Sequence, residues 1–174
     1  MTVLDDTPVS KNLISPVGFK MVLKRAPNLE YWINKAPIPG IELGLAQAPN
    51  PFLTISYPGD HMHWEEFEVI FSVDENIMNY LEIFNWLVAL GKPDSFKEYA
   101  GIAANTSPSP YGISSDITIL VDDVKRNVNF EIVYADAFPV ALSGITFDST
   151  MEDIVYQKAE VRFNYRRFFI NKVA

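Results

Sequence analysis

From residue 67 to residue 73 every second side chain is large and apolar: Phe67, Val69, Phe71 and Val73, with Glu66, Glu68 and Ser72 on the alternate positions. A period of two belongs to a β-strand with one buried face and one polar face. The period then changes. Asp74 stands where an N-cap belongs, and Glu75 lies in the first turn, near the positive end of the helix. Ile77, Leu81, Phe84 and Val88 recur at helical spacing, with Tyr80 and Leu87 widening the stripe toward a core. Gly91 and Pro93 supply the stop. A strand feeding one amphipathic helix is the local unit that any fold of this chain must accommodate.

The two-residue period returns elsewhere. "VGFKMVLK" places Val17, Phe19, Met21 and Leu23 on one face, "APN" at 26–28 reads as a turn, and "LEYWINKA" reads as the hairpin partner. "SDITILV" and "VNFEIVY" flank the charged turn "DDVKRN", a second hairpin. "YQKAEVRFNYRRFF" reads as one final long strand: Ala159, Val161, Phe163 and Tyr165 face one way, Lys158, Glu160, Arg162, Asn164 and Arg166 the other. A chain of 174 residues suits one domain. Residues 1–16 form a polar N-terminal arm, and 17–174 form the domain, with a softer insertion at 92–114 where "DSFKEYAG" suits a short helix. About seven strands and one principal helix make a mainly β fold, an antiparallel sandwich or barrel with a flanking helix.

One stretch does not fit a self-contained barrel. "PIPGIELGLAQAPNPFLTISYPGD", residues 37–60, holds five of the twelve prolines and only two charges, Glu42 and Asp60. So many prolines point to a long irregular loop. A long apolar loop on a monomer is a liability, and such surface normally meets a partner. The segment therefore predicts assembly, with subunit contacts at Pro37, Ile38, Pro39, Gly40, Ile41, Leu43, Leu45, Phe52 and Leu53.

Charge and chemistry narrow the function. The net charge of -8 opposes a phosphate-gripping module. The chain has no cysteine, which excludes disulfides, thiolate catalysis and thiolate zinc sites. The N-terminal residues carry acids where a cleavable export signal needs bases, and no apolar run approaches the ~20 residues of a membrane span. No membrane anchor is expected.

His61, His63 and Glu65, at i, i+2 and i+4, would share a strand face and offer two imidazoles and a carboxylate to iron or zinc. The bland reading is the polar start of a strand after a "PGD" turn, and with no fourth ligand it prevails. Glu65, Glu66, Glu68, Asp74 and Glu75 supply carboxylates, but a glycosidase pair must face across a cleft, and alternating acids usually form a solvated face. No nucleophile elbow, phosphate loop or dinucleotide fingerprint occurs. "NTS" at Asn105 matches a glycosylation acceptor by chance. Arg162, Arg166 and Arg167 split over two faces, so they read as partners for neighbouring acids. Trp32, Trp64, Trp86, Phe84 and Tyr80 read as core. Two further readings stay open: a β-barrel holding a small apolar ligand among Phe67, Phe71, Phe163 and Tyr165, and a metal-dependent enzyme using His61, His63 and Glu65.

The run from "FKMVLKRAPNLEYWINKAPIPGIELG" through "YPGDHMHWEEFEVIFSVDENIMNYLEIFNWL", closing with "SDITILVDDVKRNVNFEIVYADAFPVALSGITFDS" and "AEVRFNYRRFFI", resembles the tail tube protein family of contractile-tailed bacteriophages. The resemblance spans roughly residues 17–170. It implies a β-barrel or sandwich with a flanking helix, homohexameric rings that stack into a tube, and DNA passing through the lumen without adhering. It also implies a virion protein assembled in the host cytoplasm, either tube body or baseplate tube start, contacting tube, sheath or baseplate proteins. Neither catalysis nor a cofactor is implied.

Overall fold

The computed structural model describes residues 12–91, 93, 96, 97, 100, 101, 112–150 and 155–173. Residues 1–11 of the expected arm and most of the 92–114 insertion lie outside them.

The two-residue periods dictate the strands. β1 (Phe19–Leu23), β6 (Ser115–Asp122), β5 (Phe67–Ser72) and β8 (Lys158–Asn164) each bury alternate side chains. Among the described residues the main sheet is seven-stranded, in the order β1-β6-β7-β8-β5-β2, with β9 (Arg167–Lys172) also on β7 and β2 spanning Ile33–Lys35. β7 (Val128–Leu142) is its spine: its first part pairs with β6 and β9, its last part with β8. Asp136, at φ 56, lies between those two parts, where the strand passes from one layer to the other. The two layers enclose one core of Phe67, Val69, Phe71, Ile117, Ile119, Ile132, Tyr134, Val161 and Phe163.

Two expectations about strand partners are corrected. "LEYWINKA" does not pair with the first strand: β1 joins β6 and β2 joins β5, at opposite ends of the sheet. Between them Pro27–Glu30 forms one helical turn, α1, which buries Leu29 at the seam of a nearly closed barrel. Proline at the first turn removes a donor that has no partner there anyway. The final long strand is really two, broken at Tyr165–Arg166. Tyr165 continues the buried face of β8, and the chain runs on in the same direction, so that β8 and then β9 follow β7 from its last part to its first.

The helix is also corrected. α2 spans Met78–Gly91, not from residue 75, because Ile77 takes a left-handed φ of 58 and Asp74–Ile77 closes a turn first. Its core face carries Asn79, Ile83, Trp86 and Ala89. Asn79 fixes the rotation: its amide donates to Ser72 O at 2.8 Å, and its oxygen accepts from Asp74 N at 3.2 Å and Tyr80 N at 2.8 Å. Trp86 Nε1 donates to Ile113 O at 3.1 Å. The expected core stripe therefore points elsewhere: Leu81 and Phe84 stand exposed and Ile77 and Val88 half-buried. A helix apolar on two sides gives the period two solutions, and hydrogen bonds chose between them.

Candidate assembly surface

The largest departure from expectation falls on residues 37–64. The proline-rich stretch is regular: β3 (Ile41–Pro49) and β4 (Thr54–Trp64) form an antiparallel hairpin, a sheet of their own that pairs with no other strand among the described residues. Prolines are tolerated because each strand of a two-stranded ribbon has a free edge on which a missing N–H costs nothing. Pro49 ends β3, Pro51 sits in the tip turn, and Pro58 adjoins a register shift between Leu43 and Leu45.

The root is tied down. Gly40 N donates to Glu65 Oε2 at 2.9 Å, Glu65 N to Gly40 O at 3.2 Å, and the Tyr165 hydroxyl to Glu65 O at 2.8 Å. A side chain at Gly40 would meet the Glu65 carboxylate, with Cβ 2.7 Å from Oε2. Trp64 packs edge-on against Phe168, ring centroids 5.1 Å apart. Burial pushes the Tyr165 hydroxyl up to about 12, with the Glu65 charge adding to the effect. Beyond this root the ribbon leaves the barrel. At the tip Leu53 N donates to Asn50 O, and Phe52 is 96% exposed.

Most of the predicted contact residues are presented outward. Ile38, Ile41, Leu43, Leu45, Phe52 and Leu53 are exposed, as is Gly40, and Pro37 is half-buried. Pro39 is the correction: it is buried within its own subunit and offers nothing to a partner. Sequence reasoning missed Ile55, Tyr57 and Met62 on β4, all exposed. The alternation in "TISY" is a strand signal within the proline-rich run.

The other candidates do not assemble into chemistry. His61 Nδ1 lies 2.6 Å from Asp60 Oδ1 with both side chains over nine-tenths exposed, while Glu65 turns to Gly40. Among the described residues no group of three His, Asp or Glu side chains is placed to hold a metal. Glu66 pairs with Arg162 at 3.0 Å and Asp136 with Arg166 at 3.7 Å, so these arginines do meet acids of neighbouring strands. Arg167 lies over the Phe169 ring, 4.4 Å from its centroid. Phe67 stacks on Tyr134 at 4.4 Å and on Phe163 at 6.3 Å. Phe71 is fully buried and Tyr165 nearly so, leaving these four positions as filled core rather than the wall of a ligand chamber. Of the five aromatics read as core, Trp86 is buried and Trp64 and Tyr80 are half-buried, but Trp32 and Phe84 are exposed.

A nearly closed antiparallel barrel, a flanking helix and a projecting apolar hairpin together define the tail tube fold. The tube terminating cap of the anti-feeding prophage superposes with a TM-score of 0.58 at 15% identity, over 99% of this chain and 100% of that one. The sheath-tube complex of the extracellular contractile injection system PVC, in its extended state, contains a chain that matches at 0.55 and 14%, over 94% of each. The sheath/tube terminator of the same system matches at 0.55 and 15%, over 92% of this chain and 98% of that one. No family model and no curated protein matches the sequence. The likeness is one of fold, and at that level the resemblance read from the sequence is shown.

Proposed function

We propose that this protein is a structural subunit of a contractile tail or injection particle, forming hexameric rings that stack as part of a tube or its end. The observation that carries the reading is the hairpin of β3 and β4. A lone two-stranded ribbon is marginal in water, and this one exposes Ile41, Leu43, Leu45, Phe52, Leu53, Tyr57 and Met62, with no layer upon them among the described residues. Copies of the same chain supply that layer. Sequential contacts between different surfaces of identical subunits close into a ring when the rotation permits, and the ring also covers the free edges of β1 and β2.

The solved structures of like fold are tube and terminator chains, which supports contacts with tube, sheath or baseplate proteins. In this reading the subunit has no catalytic role, uses no cofactor and resides in the virion or an equivalent particle. DNA is its cargo, kept from adhering by the charge of -8 on every copy. Sedimentation velocity and negative-stain microscopy of purified protein test the proposal. Six-membered rings, alone or stacked, are expected. Protein that stays monomeric at high concentration and never yields rings overturns it.

A further inference from the structure

The ribbon does not keep its apolar side chains on one face. In an antiparallel pair, directly opposed residues share a face, and neighbours along a strand alternate. Ile41 opposes Trp64, Leu43 opposes Met62 and Leu45 opposes Pro58, and along β3 all three lie on one face with Gln47, whose partner is Ser56. Glu42 opposes His63 on the other face, followed there by Ala46 with Tyr57 and Ala48 with Ile55. The first face is therefore apolar at the root and polar toward the tip, and the second is polar at the root and apolar toward the tip.

The second face turns apolar at the register shift, where Gly44 alone on β3 faces Gly59, Asp60 and His61 on β4, and the first face turns polar one pair further toward the tip, beyond Leu45 and Pro58. There the backbones touch: a Cβ at Gly59 would lie 2.5 Å from Gly44 O, and one at Gly44 would lie 3.3 Å from His61 O. Glycines on both strands let the ribbon close at the point where its covered side changes.

We propose that each hairpin is held between two other copies of this chain, one covering the root patch of Ile41, Leu43 and Met62, the other covering the tip patch of Ile55, Tyr57 and Ala48 on the opposite face. One subunit lying flat on the ribbon covers a single face. The occupant is a copy rather than another partner on grounds of charge. From Leu43 to Gly59 there is no charged side chain, on a chain of net charge -8. Acidic copies approach one another where charge is absent, whereas nucleic acid or anionic headgroups need cations that the segment lacks. Each copy also carries, on the outer side of α2, the apolar positions Leu81, Phe84 and Val88, against which an uncharged ribbon fits without desolvating an ion.

The inference rests on the tube reading but fails separately from it. The chain has no cysteine, so a photo-crosslinker is directed cleanly to Leu43→Cys, to Tyr57→Cys, or to both. Labelled subunits are assembled with a large excess of unlabelled full-length protein, irradiated and resolved by denaturing gel. Single labels are expected to give two-chain products only, and the double label to add a three-chain product. Two-chain products alone from the double label, in material that forms rings, overturn the two-sided clasp and leave the tube reading standing. No crosslink, in protein that stays monomeric, overturns both. Ile41→Cys with Ile55→Cys probes the same two faces and must agree.

Discussion

β4 and β5 are neighbours in the chain, separated only by Glu65 and Glu66, and both carry large apolar side chains. β5 buries Phe67, Val69 and Phe71 completely, against β2 on one side and β8 on the other. β4 has one partner, and Ile55, Tyr57 and Met62 remain exposed. The difference lies in which strands cover them: the barrel buries the apolar face of β5, while among the described residues nothing covers the apolar side chains of β4. In the proposed reading, folding and assembly are thus separate, and each can be attacked without the other.

The sharpest break comes from truncating matched aromatics. Phe67→Ala is expected to destabilise the isolated subunit by about 3–5 kcal/mol in urea unfolding. Tyr57→Ala should move the same transition by less than about 0.5 kcal/mol while weakening assembly, so that rings form only at higher protein concentration. Equal effects on monomer stability would erase the distinction between the two regions.

Gly59→Ala comes next. Its Cβ meets Gly44 O, which is backbone and yields poorly. A local cost of about 1–3 kcal/mol is expected, seen as faster amide exchange in β3 and β4 with little change in the barrel.

The buried tyrosines give a smaller effect and a pH signature. The Tyr134 hydroxyl is buried with no hydrogen-bond partner among the described residues, and burial, reinforced by Tyr165, drives its pKa well above the ordinary 10.0. Tyr165 is raised to about 12. Groups whose pKa is raised by folding hold their proton more tightly in the native state. Their contribution is therefore whole below pH 10 and is lost as pH rises through 10 toward 12 and beyond. Melting temperature should fall across that window, and less steeply in Tyr134→Phe. At neutral pH, Tyr134→Phe should stabilise by about 1 kcal/mol by removing an unsatisfied hydroxyl, whereas Tyr165→Phe, which orphans Glu65 O, should cost about 1 kcal/mol.

The smallest effect belongs to Glu66→Gln. Its pair with Arg162 is roughly half exposed on both sides, and its loss should change urea-unfolding stability by no more than about 0.5 kcal/mol.

The alternation at 67–73 was legible as a buried strand and the run at 37–60 as a charge-poor apolar surface, because period and charge are local properties of sequence. The form of that surface was not. Prolines argued for a loop, and only pairing with a second strand, their missing donors placed on a free edge, makes a ribbon possible. Likewise the period of α2 announced a helix but not its rotation. Asn79, a polar residue in an apolar run, carried that information through three hydrogen bonds to backbone groups on and just ahead of the helix.

What the chain determined by itself was the strands of the barrel, where the principal helix ends, and that one long stretch is apolar and nearly free of charge. What only the tertiary structure decided was pairing: β1 with β6 instead of its neighbour, β3 with β4, β7 bent between two layers, and the last strand broken where it follows that bend. Periodicity depends on residues a few positions apart, whereas pairing depends on backbone donors and acceptors brought together from distant parts of the chain.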